Sequence, residues 1–301
     1  MADQAAERFN VRLAGGRNVQ ALTAGPGDLL PLVFHTGTPA GLVHYQPIVD
    51  AAAGAGLRSV LYSRPGYGGS DPLPGRTVAT AAADVEAILD HLGVGHFVTA
   101  GWSGGGPHAL ACAALLPDRC LAAATIAGVA PYPATGLDWL DGMAEENIIE
   151  FSAALGGADK LAAPLAEAAA RMGDVTGADI VDAFGGLVTA PDKAALTGEF
   201  ADYLAQLTTS AVASGTAGWR DDNLAFVTDW GFALNDVRVP VTVWQGDQDA
   251  MVPFSHGQWL ACHIPAARAR LLDGEGHLSL VAGFIGAICA DLAAAAAGGQ
   301  N

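Results

Sequence analysis

The chain has 301 residues, 51% of them hydrophobic, with 31 Asp/Glu against 14 Lys/Arg and a formal charge of -17. Such a chain can bury a large core, and its negative charge argues against nucleic acid and anionic membranes as partners. Four cysteines, Cys112, Cys120, Cys262 and Cys289, sit in apolar surroundings without C-x-x-C spacing, the pattern of buried free thiols in a reducing cytoplasm.

The N-terminal stretch MADQAAERFN carries acids and no apolar run, so it does not read as a signal peptide. His91 and His96 flank a turn without carboxylates at zinc-type spacing, and no metal site is expected there. His96 to Ala100 then reads as a buried strand and Pro107 to Leu116 as a helix. Between them stands a G-x-S-x-G pentapeptide, Gly101, Trp102, Ser103, Gly104 and Gly105. A serine in so tight a strand-to-helix turn is forced toward strained backbone angles, and its neighbours two residues away must lack side chains. Ser103 is therefore the candidate nucleophile. His108 follows on the helix and reads as structural. The GWSGGG run fails the strict G-x-G-x-x-G pattern, and no acid ends the next strand, so a dinucleotide site is not expected.

Leu121 to Pro131 reads as the sixth strand, and no carboxylate follows until Asp138. From Pro131 to Asn235 there are sixteen Asp/Glu against four Lys/Arg and no strand-like alternation. This stretch reads as four helices, roughly Asp138–Leu155, Ala158–Met172, Gly177–Leu187 and Asp192–Ser214. Glu145, Glu146 and Glu150 fall on the first of them, most simply as a solvated acidic face.

A serine hydroxyl needs a base to take its proton and a third group to orient that base. Arg238 to Phe254 is an apolar strand running into a polar loop with Asp247 and Asp249, and Pro253 marks a helix start. His256 and His263, seven apart on that helix, read as structural. Ala269 to Val281 is a strand followed by Gly274, Glu275, Gly276 and His277. His277 is the candidate base, Asp249 or Asp247 the acid, and Glu275 a loop carboxylate. All three groups follow strand C-termini, where open α/β sheets place their sites. The apolar stretch Leu278 to Ala290 is too short to span a bilayer and reads as a final helix packed on the sheet.

Taken together, HTGTP (35–39), SRPGYGGSD (63–71), GWSGG (101–105), GDQDAMVP (246–253) and GEGH (274–277) resemble the α/β-hydrolase superfamily in order and spacing over nearly the whole chain. The resemblance implies an α/β fold: a mostly parallel open sheet flanked by helices, with an inserted helical cap. The core is then residues 1–130 and 237–301, and the cap residues 131–236. It implies a catalytic triad of Ser103, Asp249 and His277, since the family's G-x-x-D-x-x-V-P spacing lands on Asp249 rather than Asp247. It implies an oxyanion hole from the N–H groups of Thr38 and Gly104. The family commonly has His-Gly before the first donor, whereas here Thr36 and Gly37 precede it and His35 falls one position early. The donor therefore stays open between Gly37 and Thr38. RPGYGG becomes a post-strand turn rather than a phosphate cradle, and Tyr67 and Trp102 are either pocket walls or packing.

The expected activity is a cofactor-free serine hydrolase acting on a small, largely apolar carboxylic ester in the cytoplasm. Two alternatives stand beside it. One is an aminopeptidase or amidase whose cap carboxylates hold a substrate amine; the other is a ligand-binding relative with little turnover. The partner is a small-molecule substrate, with no nucleic acid, membrane or metal expected. Acyl group, leaving group and oligomeric state are not legible in the sequence.

Overall fold

Strands β3 (Leu30–His35), β4 (Leu57–Tyr62), β5 (Phe97–Trp102), β6 (Cys120–Ile126) and β7 (Val241–Gly246) are almost continuously buried. Runs such as LPLVFH and LRSVLY leave no polar face for solvent, which is how strands covered by helices on both sides read. With β1 (Glu7–Arg12), β2 (Asn18–Ala24) and β8 (Ala267–Leu272) they form one eight-stranded sheet in the order β1-β2-β4-β3-β5-β6-β7-β8. Only the β1–β2 and β2–β4 pairings are antiparallel, so the expected mostly parallel sheet is present. The computed structural model describes residues 6–265 and 267–298.

Helices α2 (Thr80–His91), α3 (Gly105–Leu115) and α10 (Phe254–His263) cover one face of the sheet, and α1 (Gln46–Gly54) and α11 (Ser279–Gly298) the other. The final helix is longer than expected: its apolar run continues past Asp291 to twenty residues. By length and composition alone it is long and apolar enough to cross a membrane. Yet Leu280, Val281, Ile285, Ile288, Cys289 and Leu292 are buried in the sheet-facing core, and Asp291 receives two hydrogen bonds from Arg270.

Between β6 and β7 the chain forms six α-helices rather than four. These are α4 (Glu145–Leu155), α5 (Ala158–Met172), α6 (Ile180–Phe184), α7 (Ala190–Ala195), α8 (Gly198–Val212) and α9 (Ala217–Phe226). The first starts seven residues later than expected, because residues 139–142 are turns, with Gly142 at φ 84°, and Ala144 is extended. The expected helix Asp192–Ser214 is two, since Thr197 is extended at φ -135°, ψ 153° and breaks the ladder. The sequence reading missed α9, whose Trp219 and Phe226 are buried on a short, polar-rich segment. Cys112, Cys120 and Cys289 are buried thiols as expected, but Cys262 on α10 is exposed.

Candidate active site

The turn between β5 and α3 holds Ser103 at φ 56°, a left-handed conformation rare for a residue with a side chain. Its N–H donates to Ile126 O at 2.8 Å, and its carbonyl accepts from Gly106 N–H at 2.8 Å. A Cβ on Gly101 would overlap Gly105 O, and one on Gly105 would overlap His35 O. Both flanking glycines are thus required by close backbone approach. The turn presents Ser103, partly exposed, to a cavity of about 340 Å³.

His277 opens into the same cavity and is itself 1% exposed. Its Nδ1 lies 2.8 Å from Asp249 Oδ2, and its carbonyl accepts from Trp102 Nε1 at 3.2 Å. Asp249 is fixed in turn: Oδ1 accepts the Met251 and Val252 N–H groups at 2.8 Å each, and Oδ2 accepts Gln245 Nε2 at 3.0 Å. Burial pushes the His277 imidazole toward its neutral form, but Asp249 and, more distantly, Asp192 outweigh it, so its pKa lies above the ordinary value. Asp247 instead accepts the Gly274 N–H at 2.7 Å and braces the His277 loop. The structure therefore brings Asp249, not Asp247, to the histidine.

The loop after β3 completes the cavity floor. Gly37, Thr38 and Gly104 line it beside Ser103. Among the described residues none of their three backbone N–H groups donates to another protein group. Behind the loop Arg64 donates to Thr36 O and Gly37 O at 2.6 Å each. His35 is not a donor here: it is buried, bonded to Tyr62 Oη and Thr99 Oγ1, and burial holds its pKa well below the ordinary value.

Helices α4, α5, α8 and α9 roof the cavity, mostly with apolar side chains such as Phe151, Leu204, Leu207 and Phe226. Glu146, Asn147, Glu150, Glu167, Arg171, Thr208 and Asn223 are its polar lining, and Glu150 is the carboxylate held by neighbouring side chains. Its Oε1 accepts Trp219 Nε1 at 2.7 Å and Asn223 Nδ2 at 2.6 Å, and burial pushes its carboxyl up to about 7 against those two bonds. Glu145 and Glu146 are exposed, the latter accepting the Gly186 N–H at the cavity mouth. The expected solvated face therefore holds for two of the three glutamates, and Glu150 turns inward.

Two aspartates of the insertion reach the core loops, and sequence reasoning passed over both. Asp192, fully buried on α7, accepts the Leu278 and Ser279 N–H groups at 2.7 and 3.1 Å and so caps α11 directly after His277. A Cβ on Gly276 would collide with Asp192 Oδ1, which explains that glycine. Asp222, fully buried on α9, meets Arg64 at 2.7 Å and Arg76 at 2.6 Å. Burial alone would raise the Asp222 carboxyl, but the two arginines hold it well below the usual carboxylate range. His108 Nε2 stands 3.5 Å away and stays neutral, since burial brings its pKa to about 4. Tyr67 is fully buried with its hydroxyl on Asp222, whereas Trp102 lines the cavity. One signal was available: Trp219, Asp222, Asn223 and Phe226 share a helix face at i, i+3, i+4 and i+7, which places two polar groups on an apolar stripe.

His256 bridges the Ala130 N–H and Trp139 O on α10, and His263 stacks on Trp259, as structural histidines do. No cluster of three or more metal-ligating side chains occurs among the described residues.

Residues 31–284 match the family model described as the alpha/beta hydrolase fold. The chain is 31% identical over 230 residues to a pimeloyl-[acyl-carrier protein] methyl ester esterase of Aromatoleum aromaticum, covering 74% of this chain and 81% of that protein. It is 34% identical over 147 residues to a non-heme chloroperoxidase of Streptomyces lividans, covering 48% of this chain and 53% of that one. A solved hydrolase from Pseudomonas aeruginosa PA01 superposes with a TM-score of 0.66 at 21% identity, over 94% of this chain and 97% of that chain, which speaks to fold alone.

Proposed function

The chain belongs to the α/β hydrolase fold family, and from that premise we propose that it is a serine hydrolase cleaving a small, largely apolar carboxylic ester. One observation carries the reading. Ser103, in its strained turn, shares a cavity with a histidine whose far nitrogen is held by a buried, fully bonded aspartate. In this mechanism Ser103 Oγ attacks the ester carbonyl carbon while His277 Nε2 accepts the hydroxyl proton. Asp249 holds the Nδ1–H tautomer and stabilises the imidazolium. The developing oxyanion is received by the N–H of Thr38 and that of Gly104, with Gly37 the neighbouring donor. His277 then protonates the leaving alcohol, and water, deprotonated by His277, releases the acid from Ser103. No step calls on a cofactor.

The helical insertion acts as a cap whose apolar inner face sets acyl size. The esterase named among the relatives agrees with an ester substrate, and the cavity of about 340 Å³ suits a compact acyl group. The test is a chromogenic ester series of rising acyl length. Turnover should peak at short chains and fall as the acyl group outgrows the cavity; absence of turnover across the series refutes the ester reading.

A second reading keeps the same triad and places a hydrogen-bond donor or amine on the substrate. Glu150 favours it, being a carboxyl among the cavity-lining residues, held there by Trp219 and Asn223. Blocking the amine of an amino ester or amide should then collapse its rate.

A further inference from the structure

We propose that Arg64 and the cap carboxylate Asp222 are positioning residues for the oxyanion hole, fixing the loop 36–38 so that its N–H groups face Ser103. The inference rests on the serine-hydrolase reading. Arg64, 3% exposed, uses Nη1 on Thr36 O and Nη2 on Gly37 O. In a trans peptide the N–H points opposite to the C=O. Pulling these two carbonyls toward Arg64 therefore turns the N–H groups of Gly37 and Thr38 the other way, toward the cavity. Both residues line that cavity, and a Cβ on Gly37 would touch Ser103 Cβ at 3.3 Å.

The Thr38 side chain is drawn back in the same way. Its Oγ1 accepts Arg64 Nη2 at 2.9 Å and donates to Asp222 Oδ2 at 2.9 Å. Asp222 fixes the guanidinium through Nε and Nη2, and Arg76 and Tyr67 fix Asp222. Two arginines on one carboxylate, beside a neutral histidine, leave a net positive charge buried directly behind the loop. A cation on the carbonyl side of a peptide polarises its N–H toward an anion in front, so the chain guanidinium–peptide–oxyanion is cooperative. Asp222 belongs to α9, so this loop is held by the cap rather than by the core alone.

The decisive variants are Arg64→Lys and Asp222→Asn, with Asp221→Asn, an equally buried acid next door that pairs with Arg220, as the control for cap disturbance. Arg64→Lys keeps a cation for Asp222 while losing the fork that reaches both carbonyls, so it is the variant to read where Asp222→Asn does not fold. The readouts are kcat and KM on one ester, together with affinity for a trifluoromethyl ketone, which Ser103 converts to a tetrahedral oxyanion, and for the matching alcohol, which carries no charge. Arg64→Lys should lower kcat about 10- to 100-fold with KM within about threefold. Ketone affinity should fall by the same factor, while alcohol affinity and the pH midpoint of kcat/KM stay in place. Asp221→Asn should leave the ketone-to-alcohol ratio as in the wild type. Equal losses for ketone and alcohol, or a loss confined to KM, overturn the positioning role and leave the hydrolase reading standing. A wild-type protein that neither hydrolyses esters nor binds the ketone overturns the hydrolase reading and this inference with it.

Discussion

Replacing Asp192 separates what the helical segment between β6 and β7 contributes to stability from what it contributes to the histidine. Its carboxylate is fully buried and accepts two backbone N–H groups at the start of α11, at 2.7 and 3.1 Å. Truncation to alanine removes three charge-assisted hydrogen bonds, the two that cap α11 and one from Thr189 Oγ1, about 2–4 kcal/mol in all. At ~2.1 cal/mol/K per residue the 301-residue chain unfolds with about 0.6 kcal/mol/K, so Tm should drop about 3–6 °C. Asp192→Asn keeps an acceptor and loses only the charge, about 1 kcal/mol or some 2 °C. The carboxylate also helps hold the His277 pKa up. Both variants should therefore move the acid limb of kcat/KM to lower pH, because a base with a lower pKa is neutral further into acid. Thermal melts and pH–rate profiles of the wild type and both variants test this. An unmoved Tm in Asp192→Ala, or an acid limb moving to higher pH, removes Asp192 from these roles.

Asp249→Asn should cut kcat by about three to four orders of magnitude through the wrong histidine tautomer. Asp247→Asn should cost far less, because an amide oxygen still accepts the Gly274 N–H; a reversed order in parallel kinetics reassigns the acid. His256, neutral and buried with its pKa brought to about 4, has a folded pKa below its unfolded one. Its contribution is present above about pH 6.5 and is lost as pH falls toward 4, at most roughly 3 kcal/mol. Tm should thus fall across that window, with a shallower slope in His256→Gln, which donates and accepts but takes up no proton; parallel slopes contradict it. Glu150→Gln should lower kcat/KM about tenfold or more for esters bearing an amine and less than about threefold for neutral ones, and equal effects on both remove Glu150 from substrate recognition.

What the sequence made legible was local. The nucleophile turn shows because the constraints on Ser103 fall on Gly101 and Gly105, two residues away. The sheet shows because strands buried on both faces are written as apolar runs, whereas Asp247 and Asp249 stayed open between them until the family resemblance favoured Asp249. The rest depends on partners distant along the chain. Asp222 meets Arg64 across 158 positions, and Asp192 meets Leu278 across 86. Periodicity does not name the partner in such a pair, so Asp192 and Asp222, passed over in the sequence, turn out to be buried against the core loops. Helix boundaries in the insertion failed for a related reason. Gly142 and the extended Thr197 break helices through backbone angles that composition states weakly, and α9 is stabilised by what Trp219, Asp222 and Phe226 bury rather than by its own propensity.

In the proposed mechanism Ser103 is a nucleophile activated by His277. Labelling with a fluorophosphonate, followed by peptide mass spectrometry, tests it most directly. One adduct is expected, on Ser103, formed faster as pH rises through the His277 titration and lost in Ser103→Ala. That variant should retain only about a thousandth to a millionth of the wild-type turnover. An adduct on another residue, or Ser103→Ala turning over esters at the wild-type rate, would contradict it.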